Sequence, residues 1–523
     1  EDTLLDENIE SGYSQIKVLK PIVPSNGVSL AGSDIGAGEV VLRRGQYLGY
    51  RETGTLAAIG EAKVRVWKRP KIAIISTGDE LLEPGEQMEI GKVYDSNSTV
   101  IAHAVEELGC KAVRFGIVPD DEVKLEKILK QALEFDFVLV SGGTSKGEGD
   151  LNYRVFEKFH NPGIVVHGVS LKPGKPLCLA ILENTPAAIL PGFPSSSIFT
   201  FQKFIAPILR VMSGIGQESM AYVNAKLPLR LNSDKGRTEF NLVHLVSNDD
   251  EFIAYSTGKG SGSVTGFSRA DGFMEIPRNT ELMEAGEIAR IQLLGKSLRP
   301  PDLIIIGSHC VGLDFLIGEM HKLGFLCKFL AVGSMSGVMA AKRGECDLAG
   351  THLMDKESNE YNLHLLSPEI ELVKGYRRSQ GFLFRKNDNR FNSNENNFEK
   401  IIRQLIKDQN TRMINRNIGS GTRVLIDHIL SGLRPSGFFQ EAKSHNSVAA
   451  AIAQKRADWG IAIKSVAEDL DLGFIPIKDE EYDFVIPRQR IKRKEVGHFL
   501  TLLKEPKIKK KLKKLGLNVY RPE

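Results

Sequence analysis

Cysteine is scarce here: five residues (Cys110, Cys178, Cys310, Cys327, Cys346) are scattered through 523, and no two form a CxxC pair. An odd, dispersed set of this kind excludes a disulfide framework and a cysteine-paired zinc site, and it suits a reducing cytoplasm. Long apolar runs are missing too. No stretch approaches the roughly 20 consecutive apolar residues of a membrane span, so none is expected. The opening EDTLLDENIE is acidic, unlike a secretory leader. A starting methionine is lacking, and the chain begins in mid-flow at Glu1, which reads as an N-terminally incomplete sequence. Neither sign of charge dominates: Lys plus Arg number 69 against 65 for Asp plus Glu, and the net +4 says little about partners. The one lysine-dense tract, KEPKIKKKLKKLG, lacks interleaved aromatics and any reading motif. It reads as a solvated face, no helix-turn-helix is evident, and no nucleic-acid partner is expected.

What is present is an ordinary globular composition, 41% apolar and 26% charged, in a chain long enough for several cores. Residues 1–69 mix short apolar pairs with frequent glycine, as in AGSDIGAGEVVLRRGQYL, and read as a small β region. From residue 70 to 215 the pattern alternates between strand and helix. KIAIIST, KAVRFGIV, DFVLVSGG and AAILPGFP are apolar runs ending in turn residues, and NSTVIAHAVEELG places apolar side chains at 100, 101, 104, 105 and 108, one helix face. That alternation predicts a doubly wound α/β domain, a parallel sheet with helices on both faces. Residues 216–297 return to strand-like segments and predict a small β-barrel or sandwich. GKSLRPPD is a linker by composition, and 302–523 form a second α/β region in which LIIIGSH and FLCKFLAVGS alternate with helices. The asparagine-rich RKNDNRFNSNENNFEK reads as a surface loop.

In an open parallel sheet, ligands gather beyond the carboxyl ends of the strands, where loops meet helix N-termini. Four such ends carry notable residues: STGDEL (76–81), VPDD (118–121), SGGTSKGEGD (141–150) and LPGFPSSS (190–197). Asp79, Glu80, Asp120 and Asp150 would repel one another if clustered alone, so a magnesium-type ion with oxygen ligands is a natural companion. The plainer reading is that each acid caps the helix that follows it. Gly142 and Gly143 suit a close backbone approach to a phosphate, with Thr144 and Ser145 adding hydroxyls. In LKPGKP, Lys172 and Lys175 project from a Pro-Gly-Pro frame and suit a small oxyanion.

Taken together, STGDEL, YDSNS, SGGTSKGEGD, LKPGKP and LPGFPSS resemble the MoeA family of molybdopterin molybdenumtransferases, or molybdenum insertases, related to the E domain of gephyrin. The likeness spans residues 20–296. It implies insertion of molybdate or tungstate into adenylated molybdopterin with release of AMP, a magnesium ion, a cytoplasmic homodimer and a molybdopterin adenylyltransferase acting upstream. By the same resemblance Glu80 is the essential acid, and Asp120 and Asp150 help it hold magnesium. Thr77, Gly78, Asp79, Gly142, Gly143, Thr144 and Ser145 contact the substrate; Lys172, Lys175, Pro176, Arg237 and Ser261 line the molybdate position; Pro191 and Pro194 shape the neighbouring turn.

Residues 302–523 resemble a different group, the two-lobed periplasmic-binding-protein-like domains. GSHCVGLD, VGSMSGVMAAKRGECDLAGTHL, NIGSGTRVLID and HNSVAAAIAQKRADWGIAI carry that likeness. It implies that hydroxyls at helix N-termini (Ser308, Ser334, Ser336, Ser420, Thr422 and Ser447) bind molybdate, tungstate or a related anion without a cationic side chain. The plainer reading makes them helix caps. An alternative for the whole chain is a non-catalytic molybdate or pterin sensor.

Overall fold

The computed structural model describes residues 3–6, 15–142, 150–216, 221–248, 251–258, 264–294, 300–355, 357–358, 360–386, 388, 390–391, 405, 408, 410–418 and 420–519. Most of the asparagine-rich tract and linker residues 295–299 lie outside these. The chain forms two compact units: Glu1–Gly168 with Pro176–Gly192 and Ser197–Glu218, and Val169–Lys175 with Phe193–Ser196 and Ser219–Glu523.

The first unit is built on a six-stranded sheet. Its strands run in the order Lys111–Val118, Lys71–Thr77, Phe137–Ser141, Thr185–Leu190, Cys178–Leu182 and Gly163–His167. The first four are mutually parallel, as the alternation predicts. Cys178–Leu182 alone runs antiparallel to the neighbours on both its sides, so the sheet is mixed rather than wholly parallel. The cause is local: Glu183 and Asn184 both take positive φ (47° and 75°), which makes a tight hairpin between Cys178–Leu182 and Thr185–Leu190. In Lys71–Thr77, Ala73 and Ile75 pack with Leu125, Leu129, Val138, Val140 and Phe156. Ile72 and Ile74 alternate to the opposite side and are equally buried, so both faces are covered. Ahead of the sheet, the strand pair Thr3–Asp6 and Gln15–Val18 and the helix Tyr50–Ala58 carry no buried residue, and the glycine-rich stretch between them forms turns rather than strands.

In the second unit a barrel-like sheet runs Glu251–Ser256, Tyr222–Lys226, Ile288–Leu293, Gly272–Ile276, Thr238–Asn248 and Leu171–Lys172. Its last strand comes from the LKPGKP stretch and pairs in parallel with Thr238–Asn248. Beyond it, Leu303–Gly307 and Cys327–Ala331 pair in parallel. Two strands of 16 residues, Ile370–Arg385 and Leu472–Pro487, then cross side by side through a seven-stranded sheet. The lysine-rich tail becomes the helix Pro506–Lys514, which buries only Ile508 and Leu512, so its lysines form a solvated face.

The barrel and the region after residue 300 share one core. Val246, Ile253 and Tyr255 are buried with Ile304, Ile306, Leu330 and Val338. Two polar links reinforce it. Lys328 Nζ donates to Leu245 O at 2.8 Å and pairs with the Asp271 carboxylate, while Tyr255 OH donates to Glu345, whose oxygens also accept from Arg343 Nε and Nη2 at 2.7 Å each. Burial lowers the Lys328 ammonium and Asp271 opposes that shift. Lys328→Met leaves Asp271 part-buried without its partner, and we expect a loss of about 2–4 kcal/mol in urea unfolding of this unit. Lys328→Met with Asp271→Leu should recover most of that loss.

Candidate functional site

The ends of Lys71–Thr77 and Phe137–Ser141 form the first candidate site. Gly78 sits at φ 144°, and a Cβ placed there would lie 2.6 Å from Glu80 Oε2, so glycine is what allows the Glu80 carboxylate to fold over the strand end. Gly142, at φ 135°, is tighter still: its Cβ would meet Thr77 O at 2.2 Å. Fully buried Asn152 ties the two ends together, its Nδ2 donating to Thr77 Oγ1 at 2.8 Å and to Gly142 O at 2.9 Å. Nearby, Asn97 Nδ2 donates to Ser141 Oγ at 3.0 Å and to Gly192 O at 2.8 Å, and buried Asp95 accepts from Ser76 Oγ at 2.6 Å. Asp95, Asn97 and Asn152 are absent from the sequence-based candidates. The signal for Asn152 was an amide two residues past a capping acid, at a position the helix turns inward.

The acids divide between roles. Asp79 Oδ1 accepts from Asp120 N at 3.1 Å, which sets those two strand ends side by side. Asp150 caps the helix Leu151–Glu157, its Oδ1 accepting from Asn152 N at 3.1 Å and Tyr153 N at 3.3 Å. Burial pushes its carboxyl up, against the pull of those N–H groups. Glu80 is exposed. Among the described residues no three acids, histidines or cysteines gather as a metal cluster. Magnesium does not require one: it is commonly held by one or two carboxylates, waters and substrate phosphates, and the adjoining Asp79 and Asp120 ends fit that donor set. Gly143, Thr144 and Ser145 lie outside the described residues. Pro191 is buried at the end of Thr185–Leu190 and Pro176 follows the LKPGK turn.

The cations sit in the second unit. The register that pairs Leu171 with Thr238 and Lys172 with Glu239 sets Lys172 beside the strand that Arg237 precedes. Lys172 Nζ pairs with Asp234 Oδ2 at 2.6 Å and with buried Glu239 Oε2 at 3.3 Å. Burial works against its charge, but the two carboxylates outweigh burial and raise its pKa. Lys175 closes the turn, its carbonyl accepting from Val169 N at 2.8 Å. Pro194 starts the helix Pro194–Thr200, and Ser261 lies outside the described residues.

A second candidate site is a cavity of 410 Å³ in the C-terminal region. Ser308, Ser336 and Ser420 line it. Ser420 also caps the helix Gly421–Leu430, accepting from Arg423 N at 3.2 Å. The other three predicted hydroxyls serve the scaffold: Ser334 Oγ accepts from His352 N at 3.3 Å, Thr422 Oγ1 from Gln380 Nε2 at 3.2 Å, and Ser447 Oγ bonds Ser444 Oγ at 2.9 Å. Contrary to a site free of cations, Arg416 and Lys443 also line the cavity. Arg416 is 7% exposed, and burial first, then Arg378, lowers its pKa to about 10. Behind the lining, Ser308 Oγ bonds His352 Nε2 at 2.8 Å, and Glu480 joins His352 Nδ1 to Arg378 Nε. Sequence reading missed Arg416 because its strand, MINR, carries no motif.

Comparison with known proteins assigns both regions. Residues 73–211 match the family described as "Probable molybdopterin binding domain", 224–294 the "MoeA C-terminal region (domain IV)", and 318–504 the "PBP superfamily domain". A putative molybdopterin biosynthesis protein of Methanocaldococcus jannaschii is 34% identical over 290 residues, covering 53% of this chain and 69% of that protein. The molybdopterin molybdenumtransferase of Haemophilus influenzae is 30% identical over 273 residues, 51% of this chain and 67% of its own length. The molybdopterin biosynthesis MoeA protein from Pyrococcus horikosii aligns with 54% of this chain and 69% of its own at 33% identity, with a TM-score of 0.45.

The buried network yields a pH prediction. Although burial acts to raise it, Glu480 is held down at about 2, against an ordinary 4.5, by Arg378 and His352. A depressed carboxyl stabilises the fold above its unfolded value and loses that contribution as pH falls through the folded value. Thermal melts should therefore show stability falling between about pH 4.5 and pH 2, and Glu480→Gln should be less stable at neutral pH with a flatter profile across that window.

Proposed function

The chain belongs to the MoeA family of molybdopterin molybdenumtransferases, extended by a periplasmic-binding-protein-like domain, and on that premise we propose that it inserts molybdate into adenylated molybdopterin with release of AMP. The observation that supports this most is the pair of strand ends where Gly78 and Gly142 exclude side chains and Glu80 folds over the turn. Such an end, bare of side chains, admits a phosphate close to the backbone. Glu80 acts as the essential acid. Thr77, Gly78, Asp79 and Gly142, with Gly143, Thr144 and Ser145, hold the nucleotide-pterin, and Pro176, Pro191 and Pro194 shape the turns around it. The family resemblance assigns magnesium to Glu80, Asp120 and Asp150; since no three acids gather among the described residues, the adjoining Asp79 and Asp120 would hold it together with substrate phosphates, and it would screen the pyrophosphate charge.

Molybdate is bound by Lys172, Lys175, Arg237 and Ser261. Lys172 is suited to exchange: Asp234 is 57% exposed and gives way to an oxyanion, while buried Glu239 keeps the ammonium charged and aimed. No protein nucleophile is needed, because the chain's residues position two substrates and stabilise their charge. The working form is a cytoplasmic homodimer, supplied by a molybdopterin adenylyltransferase. The C-terminal domain binds molybdate, tungstate or a related anion in the 410 Å³ cavity. That cavity also supports a second reading, a non-catalytic molybdate or pterin sensor. The two part on Glu80→Gln, which should lower molybdenum loading and AMP release about 100-fold or more while leaving the melting temperature unchanged. Full loading by that variant would overturn the catalytic reading.

A further inference from the structure

The cavity in the C-terminal domain is large, positively charged at its base and partly apolar at its mouth. Arg416 lines it, and among the described residues its Nε and Nη1 have no hydrogen-bond partner; its Nη2 donates only to Lys443 O, at 3.3 Å. The charged groups acting on it are Arg378, which opposes its charge, and Glu480, which supports it. Burial drives both His352 and His445 toward the neutral form. Two guanidiniums thus face one carboxylate, and one buried positive charge is left over. A buried charge without a counter-charge is costly, and Lys443 adds a second, exposed positive charge to the lining, so the structure calls for at least one negative charge from outside.

Size and lining narrow the anion further. A bare tetrahedral oxyanion fills roughly 100 Å³, about three water volumes. The cavity measures 410 Å³, within the range of pockets that enclose a drug-sized organic molecule. Ala331, Val332, Met335 and Ile418 contribute apolar surface to it, and Met335 and Ile418 stand 51% and 78% exposed. An oxyanion alone has nothing to offer those groups, whereas a flat heterocycle would cover them.

We infer that this site takes an organic anion, a carboxylate on a flat heterocycle of the pterin kind, with Arg416 pairing its carboxylate. The inference rests on reading the C-terminal domain as anion-binding and replaces the bare metalate by an organic ligand. The probe is pterin-6-carboxylate, titrated by its fluorescence into the full chain near neutral pH, with 6-hydroxymethylpterin as the uncharged comparison and tungstate as competitor. Pterin-6-carboxylate should bind, the uncharged pterin about tenfold or more weaker, and excess tungstate should not displace the bound ligand. Arg416→Gln should weaken binding by about tenfold or more. Should that variant fold poorly, Ile418→Asp adds a negative charge at an exposed position on the rim and should weaken binding in the same direction. Binding of pterin-6-carboxylate that neither variant changes would overturn the inference. Arg416-dependent binding of tungstate without the pterin would overturn it and leave the anion-binding reading standing. Arg416-dependent binding of neither would remove both.

Discussion

Two neighbouring parallel strands, Lys71–Thr77 and Phe137–Ser141, end so close together that the loop leaving one has no room for a side chain against the other. A methyl group at Gly142 would stand 2.2 Å from the carbonyl of Thr77. This closeness is held by a single buried amide, Asn152, which bonds both ends at once and is carried on the helix that Asp150 caps. The rest of the first site follows from it. Because the ends are fixed and bare, the backbone there can be approached closely, and Glu80 can lie over the turn at Gly78. The acids read in the sequence as one cluster prove to be distinct devices: a helix cap at Asp150, a strand-end link between Asp79 and Asp120, and an exposed carboxylate at Glu80.

The second unit is organised by charge. Lys172 is drawn into the barrel sheet by its pairing opposite Glu239, so the cations proposed for molybdate share a scaffold with the C-terminal domain. The barrel and that domain are joined by a common apolar core and by the Lys328–Asp271 and Tyr255–Glu345 contacts. The sequence marks GKSLRPPD only as a linker by composition, and buried surface on either side of it joins the two regions. In the C-terminal domain, Glu480 balances one of two buried arginines, and the imbalance leaves an excess of positive charge at the cavity.

Much of this was legible in the sequence. Buried runs such as KIAIIST and glycines at strand ends announce themselves by composition, and the motifs place the family. What was not legible depends on three-dimensional pairing. The hairpin at Glu183–Asn184 turned two strands antiparallel through a turn that no glycine marked. LKPGKP looked like part of the α/β domain, yet its strand register belongs to the barrel. Arg416 and Asn152 stand among other polar residues in the sequence, and only burial reveals that each has a task. Of the hydroxyls proposed for the C-terminal ligand, Ser308, Ser336 and Ser420 reach the cavity, and Ser334, Thr422 and Ser447 are engaged in the scaffold, a division that runs within single helix starts, since Ser334 and Ser336 share one and Ser420 and Thr422 another.

The central claim is that this chain transfers molybdenum from oxygen to sulfur ligands. X-ray absorption at the molybdenum edge, recorded on the full chain with molybdate and adenylated molybdopterin, addresses it directly. Replacement of part of the oxygen shell by sulfur is the predicted result. An oxygen-only shell, the same with and without the nucleotide-pterin, would contradict the account.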